Sequence, residues 1–249
     1  MFVYAAPPQP SIFEQTAMTK TDLVIFDCDG VLVDSEIVAA RVEADLITAA
    51  GFPIEAGELA ATYAGLTFRD ILLRIEEKSS IPFQASLIDQ AEALVDRRLA
   101  TEARAIEGAH EAIAGVRAPR CICSNSPMQR LDLMLTKTRL KPFFEGRVFS
   151  AVDTPEARPK PAPDIFLHAA AALGADPQRT LVIEDSVHGV HGAREAGMRV
   201  IGFTGASHSY PGHADVLTDA GAETVIRRWA DLGGVLAALC EWSDAYLVS

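Results

Sequence analysis

Leu23-Val24-Ile25-Phe26-Asp27-Cys28-Asp29-Gly30-Val31-Leu32-Val33-Asp34 is the stretch on which the reading of this 249-residue chain turns. Four apolar residues run into Asp27, and Asp29 follows two places on. A short unbroken apolar run predicts a strand buried on both faces. Gly30 lets the chain bend where a Cβ would resist. Two carboxylates then stand at the carboxyl end of a strand, where open α/β sheets place their ligands. Acids held that close repel, so one takes a proton or both share a cation.

Three later strand ends repeat the pattern. The run Arg120-Cys121-Ile122-Cys123 ends in Ser124-Asn125-Ser126-Pro127. Ser126 suits a helix cap and Pro127 the first helical position, which makes a helix N-terminus with free N–H groups and an anion site. Lys160 lies between Pro159 and Pro161 on a loop that the prolines stiffen, so it can hold a point charge against a phosphate or carboxylate. Thr180-Leu181-Val182-Ile183 ends in a second acid pair, Glu184-Asp185. With Asp27 and Asp29 this pair offers the hard oxygen ligands that Mg²⁺ prefers.

The rest of the chain gives these strand ends their setting. From Ser35 to about Arg104 only helical periodicity is seen, punctuated by Gly and Pro, with Ser35-Glu36 as the helix entry. From Gly108 strands alternate with helices: strands at Arg120–Cys123, Arg147–Ser150, Thr180–Ile183, Arg199–Phe203 and Thr224–Ile226, helices near Ala109–Val116, Met128–Thr138, Asp164–Leu173 and Val187–Ala196. That alternation calls for a parallel sheet with right-handed crossovers. The expected fold is α/β, a Rossmann-like parallel core interrupted by an all-helical insert. The polar loop Gly205–His213 receives no role, and His188 and His191 are read as helix residues.

Composition limits the partners. A formal net charge of −12 argues against nucleic acid, whose phosphates need a basic footprint. No apolar run approaches the length of a membrane span. Cys28, Cys121 and Cys123 sit in apolar runs read as strands, and Cys121 and Cys123 lack zinc-site spacing. Buried free thiols in a reducing cytoplasm are expected. Residues 1–20, with Pro7, Pro8 and Pro10, are read as a disordered arm or as sequence upstream of a natural start at Met18. A monomer or weak homo-oligomer is expected.

Phe26-Asp27-Cys28-Asp29-Gly30-Val31-Leu32-Val33-Asp34-Ser35-Glu36, with Ser124, Lys160 and Glu184-Asp185 in order, resembles the four motifs of the haloacid dehalogenase-like superfamily, in its phosphatase and phosphomutase branch with a helical cap. The resemblance runs from about Asp22 to Trp229. It implies a core formed by residues 21–34 and 106–249 and a cap over 35–105. It implies Asp27 as nucleophile, forming an aspartyl-phosphate, and Asp29 as general acid and then base. Mg²⁺ would be held by Asp27, the Asp29 carbonyl and Asp185, with Glu184 nearby. Ser124, Asn125 and Lys160 would hold the phosphoryl oxygens of a small phosphorylated substrate. Thr67 and Arg69 are the expected cap contacts to substrate.

Within that branch, the second acid, Asp29, separates the chain from the dehalogenases. The β-phosphoglucomutases carry a His where this chain has Ala39 and an Arg where it has Phe68. Those departures favour hydrolysis over a phosphomutase reaction. The tract from Ile106 to Asn125 is similar to branch members that act on 6-phosphogluconate or related sugar phosphates. A phosphate-binding module without catalysis is the alternative of another class.

Overall fold

The computed structural model describes residues 21–63, 66–79, 82–155 and 157–245. The expected arm over residues 1–20 lies outside them. Six strands form one parallel sheet: β1 (Leu23–Phe26), β2 (Arg120–Ser124), β3 (Val148–Ser150), β4 (Thr180–Glu184), β5 (Arg199–Phe203) and β6 (Thr224–Ile226). Their order is β3-β2-β1-β4-β5-β6. The chain thus starts in the middle and adds strands outward on both sides. β1 stands between β2 and β4, with Phe26 level with Ile122 and Ile183. β1 stops there while β2 and β4 run on to Ser124 and Glu184, and the loops after all three converge on one crevice.

Alternation along the strands makes two cores. Val24 and Phe26 face one side, with Ile122, Ile183, Phe203 and Trp229. Helices α5 (Ala109–Gly115) and α6 (Met128–Lys137) cover it, together with the terminal α10 (Leu232–Ala245). Trp229 stacks on Phe203 with ring centres 4.6 Å apart. Leu23 and Ile25 face the other side, with Cys121, Cys123, Val182 and Val200. There α7 (Asp164–Leu173), α8 (Val187–Glu195) and α9 (His213–Asp219) close the layer. Among the described residues, no helix is long and apolar enough to cross a membrane.

Between β1 and α5 the chain makes four helices: α1 (Glu36–Ala49), α2 (Ala56–Thr62), α3 (Phe68–Ser79) and α4 (Ser86–Glu102). It leaves and returns side by side. Asp34 N–H donates to Arg104 O at 3.0 Å, and Ile106 N–H donates to Leu32 O at 3.0 Å. An insert with adjacent ends leaves the sheet register untouched. The helices have their own apolar cluster, including Ala44, Ile47, Leu59, Tyr63, Ile71 and Ile75. Helix α1 is buried on two sides. Ala40, Ala44 and Ile47 face that cluster, while Val38 and Val42 join the core cluster with Val95 and Leu99 of α4.

One carboxyl on α1 is strained by this double burial. Glu43 makes no hydrogen bond or ion pair among the described residues, and burial pushes it up from 4.5 to about 7. The native state therefore binds more protons than the unfolded chain between those pH values, and stability falls as pH rises through that window. Above pH 7 the ionised form costs about 1–3 kcal/mol. Glu43→Gln is expected to raise Tm by several degrees at pH 8 and to leave it nearly unchanged at pH 4, read by thermal melts at both pH values.

Three local expectations are corrected. Cys28 is buried but lies in the turn after β1, because the strand ends at Phe26. Pro127 is the residue before α6 rather than its first helical position, and Ser126 does not cap it. The Met128 N–H instead donates to Asp153 Oδ2 at 2.5 Å, so a carboxylate from 25 residues away fills that helix end. Ser35 precedes α1 as expected, but its hydroxyl makes no cap.

Candidate active site

The hydroxyls that leave their helix ends go to Asp29. Ser35 Oγ donates to Asp29 Oδ1 at 2.7 Å. Ser126 Oγ and Ser124 Oγ donate to Asp29 Oδ2 at 2.8 and 3.2 Å. Ser124 Oγ also accepts the Ser126 N–H at 2.9 Å, which holds the turn after β2. Asp29 is therefore fixed by three donors from two loops.

Lys160 sits at the centre of the other acids. Its Nζ lies 2.6 Å from Asp27 Oδ1, 2.6 Å from Glu184 Oε1 and 2.7 Å from Cys123 O. The ammonium spends its three donors on these three acceptors. Asn125 places it: the side-chain Oδ1 accepts Lys160 N–H at 2.8 Å, and Nδ2 donates to Lys160 O at 3.3 Å. The Asn125 amide thus clamps the lysine loop. Glu184 is wholly buried. Its Oε2 accepts from Asp185 N–H, Ser186 N–H and Ser186 Oγ. Gly189 of α8 makes room, since a Cβ there would lie 1.9 Å from the Glu184 carboxyl carbon.

Charges in this crevice do not balance. Burial pushes the Asp27 carboxyl well above its ordinary value, Lys160 opposes that, and Glu184, Asp185 and Asp29 add to it. Burial also works against the Lys160 charge, yet Asp27 and Glu184 together hold its ammonium above the usual lysine range. One lysine shared by two acids leaves Asp29 without a cation and Asp185 with only the His208 ring, 3.1 Å away, beside it. Asp27, Glu184 and Asp185 have carboxylate oxygens within 4.8 Å of one another. Three hard oxygen donors with uncompensated negative charge fit a divalent cation such as Mg²⁺. Both Glu184 oxygens are occupied, whereas Asp27 and Asp185 each keep one oxygen, Oδ2 and Oδ1, without a hydrogen bond among the described residues.

The structure brings Asp27, Asp29, Ser124, Asn125, Lys160, Glu184 and Asp185 into this one crevice. Thr67 and Arg69 are not joined to it by any hydrogen bond or ion pair among the described residues. Thr67 instead caps α3: its Oγ1 accepts Asp70 N–H at 3.2 Å and donates to Asp70 Oδ2 at 2.7 Å. Arg69 is exposed. Two histidines read as roleless belong to the crevice. His208 Nε2 stands 3.1 Å from Asp185 Oδ2, and His213 Nε2 stands 2.8 Å from Asp185 O. No spacing rule marks them, because they arrive from the loop after β5 and from the first residue of α9.

Gly30 shows how tightly the loops converge. Its φ is +72°, and a Cβ there would lie 1.9 Å from Asp185 Oδ2 and 2.7 Å from His208 Cε1. Gly30→Ala therefore carries backbone strain and displaces Asp185. Activity is expected to fall by at least about 100-fold, in line with the cost of displacing a catalytic group by an ångström. Wild-type kinetics in this variant would contradict the close packing.

A family model described as haloacid dehalogenase-like hydrolase matches residues 21–197. A 6-phosphogluconate phosphatase of Escherichia coli is 29% identical over 197 residues, covering 78% of this chain and 87% of that protein. Hexitol phosphatase B of the same organism is 30% identical over 187 residues, covering 71% and 81%. A solved haloacid dehalogenase-like protein of unknown function from Agrobacterium tumefaciens is 59% identical, with a TM-score of 0.84 over 88% of this chain and 98% of that one. A family hydrolase from Deinococcus radiodurans, with bound phosphate and sodium, is 31% identical with a TM-score of 0.77 over 88% and 96%. The chain belongs to the haloacid dehalogenase-like hydrolase family, in the branch that holds these phosphatases.

Proposed function

We propose that this hydrolase is a Mg²⁺-dependent phosphoric monoester hydrolase that acts on a small sugar or sugar-acid phosphate through an aspartyl-phosphate on Asp27. The observation that carries the reading is the Asp27 carboxylate at the end of β1, 2.6 Å from Lys160 Nζ and grouped with Asp185. A carboxylate can serve as the nucleophile in phosphoryl transfer. Its target is an anion, so the site must neutralise charge as the two approach.

The residues divide the work. Asp27 attacks phosphorus through one carboxylate oxygen. Asp29, held by Ser35, Ser124 and Ser126, gives its proton to the leaving alcohol oxygen and then takes one from the water that hydrolyses the acyl phosphate. Lys160 supports the charge on the transferring group, and Asn125 keeps the lysine loop in place. Ser124 and Asn125 border the phosphoryl oxygens. Asp27, the Asp29 carbonyl and Asp185 would hold Mg²⁺, with Glu184 behind them, and the cation supplies positive charge to the phosphoryl oxygens. Helices α1–α4 form the cap that closes the crevice against bulk water, with residues 35–105 as the cap and 21–34 with 106–249 as the core. The phosphatases named above support a phosphorylated carbohydrate as substrate. Buried free thiols at Cys28, Cys121 and Cys123 support a reducing, cytoplasmic setting.

Phosphate release from a panel of sugar and sugar-acid phosphates tests the reading, with Mg²⁺ and with chelator. Release that requires Mg²⁺ is the expected result. A phosphate that moves on the sugar without release, seen by phosphorus NMR, would replace hydrolysis with a phosphomutase reaction. Phosphate binding with no turnover of any ester would favour the silent module.

A further inference from the structure

The loop between β5 and α9 reaches over the crevice and is tied down at several points. Ser207 N–H donates to Asp34 Oδ1 at 3.1 Å, and Ser207 Oγ donates to Asp34 Oδ2. Asp34 is the last residue before the helical insert, so this tether joins the loop to the exit from β1. His213 is held on both nitrogens, by Ser209 Oγ at 3.3 Å and Asp185 O at 2.8 Å, and Tyr210 stacks on its ring at 4.7 Å. His213 is thus fully used in fixing the loop to the main chain at Asp185.

His208 differs. It stands between the two anchors, with Nε2 3.1 Å from Asp185 Oδ2. Its other nitrogen, Nδ1, is buried and has no hydrogen-bond partner among the described residues. A histidine kept for packing alone would ordinarily have both nitrogens satisfied. Among the described residues, the only polar anchor of the ring is the carboxylate of Asp185. The ring also lies where a Cβ on Gly30 would fall, so Gly30 leaves the space that lets His208 reach Asp185.

We propose that His208 is a positioning residue for the cation site: it holds one oxygen of Asp185, orients the other toward Asp27, and is delivered by a loop pinned at Asp34 and at Asp185. The proposal rests on the cation reading of the acid cluster given above. Groups behind metal ligands fix their orientation, and their loss typically weakens metal affinity by roughly 10–100-fold. His208 acts through Asp185 and is not a ligand in this scheme.

The test measures Mg²⁺ binding directly, by titration calorimetry on substrate-free protein, with Mn²⁺ electron paramagnetic resonance as a second probe. Wild type, Asp185→Asn, His208→Ala and His208→Gln are compared, and thermal melts in chelator confirm that each is folded. Gln can present an amide N–H near the place of Nε2. The expected result is strong loss in Asp185→Asn, weakening by about 10-fold or more in His208→Ala, and recovery of most of that loss in His208→Gln. His208→Ala binding as tightly as wild type, while Asp185→Asn does not, would overturn the proposal and leave the cation reading standing. Equal loss in His208→Ala and His208→Gln would assign the effect to ring packing and overturn it too. Wild type without affinity for either ion would remove the cation reading itself, and the proposal with it. Should His208→Ala fail to fold, His208→Asn decides, since its shorter amide cannot reach Asp185 and weakened binding is again expected.

Discussion

Asp27→Asn is expected to abolish turnover, by about 10⁵–10⁶-fold in kcat, the scale on which enzymes lose a covalent nucleophile. The substitution keeps the shape of the side chain and removes only its charge and nucleophilicity. Stability should hardly change. The wild-type carboxyl is already pushed well above its ordinary value by burial, and Lys160 keeps Glu184 as a partner when Asp27 is neutral. Activity and folding are thereby separated: phosphate release disappears while Tm moves by no more than a few degrees. Residual activity within 10-fold of wild type would show that Asp27 is not the attacking group.

Lys160→Met is expected to damage both. Lys160 is buried and is the shared partner of Asp27 and Glu184 at 2.6 Å each. Removing the cation of a buried pair leaves charge uncompensated and costs about 3–5 kcal/mol. For a chain of this size that is a fall in Tm of roughly 6–20 °C. The penalty should shrink on acidification, because Asp27, already raised by burial, can take a proton instead. The sign follows from linkage: without Lys160 the native carboxyls bind protons at higher pH than unfolded ones, so the variant loses stability as pH rises. Melts at pH 5 and pH 8 therefore diverge, with the larger loss at pH 8. Mg²⁺ should restore part of the loss at pH 8 by binding the native acids. A Tm equal to wild type at pH 8 would contradict the charge balance drawn for the crevice.

Much of this site is readable without coordinates, for a definite reason. Parallel strands buried on both faces read as unbroken apolar runs, so Leu23–Phe26 and Thr180–Ile183 declare themselves and the acids at their ends stand out. The order of these ends along the chain carries the site. Other features rest on contacts that no local pattern encodes. Asp153 takes the helix end that Ser126 was expected to fill, because the loop after β3 passes the start of α6. That frees Ser126 for Asp29. Asn125 suits a phosphate contact by position, and its amide also holds the backbone of Lys160, a partner 35 residues away. His208 lies 23 residues beyond Asp185 in a loop rich in polar residues, where an isolated histidine carries no signal. Helix α10 carries Gly233-Gly234 in its first turn, which hides its periodicity. Thr67 shows the converse: its local capping pattern with Asp70 is what the structure uses.

The most direct test of the covalent route is to trap the acyl phosphate. Asp29→Asn removes the base that activates water, and with an aryl phosphate, whose leaving group departs without a proton from residue 29, the intermediate should form and accumulate. The variant would be mixed with an aryl phosphate that the wild-type enzyme hydrolyses and Mg²⁺, quenched in acid within one turnover, reduced with borohydride and digested. An aspartyl-phosphate reduces to homoserine, which mass spectrometry locates in the peptide. The predicted result is homoserine at position 27 and nowhere else. Wild-type phosphate release with no modified residue at position 27 under single-turnover quench, or with the mark on another carboxylate, would contradict Asp27 as the nucleophile.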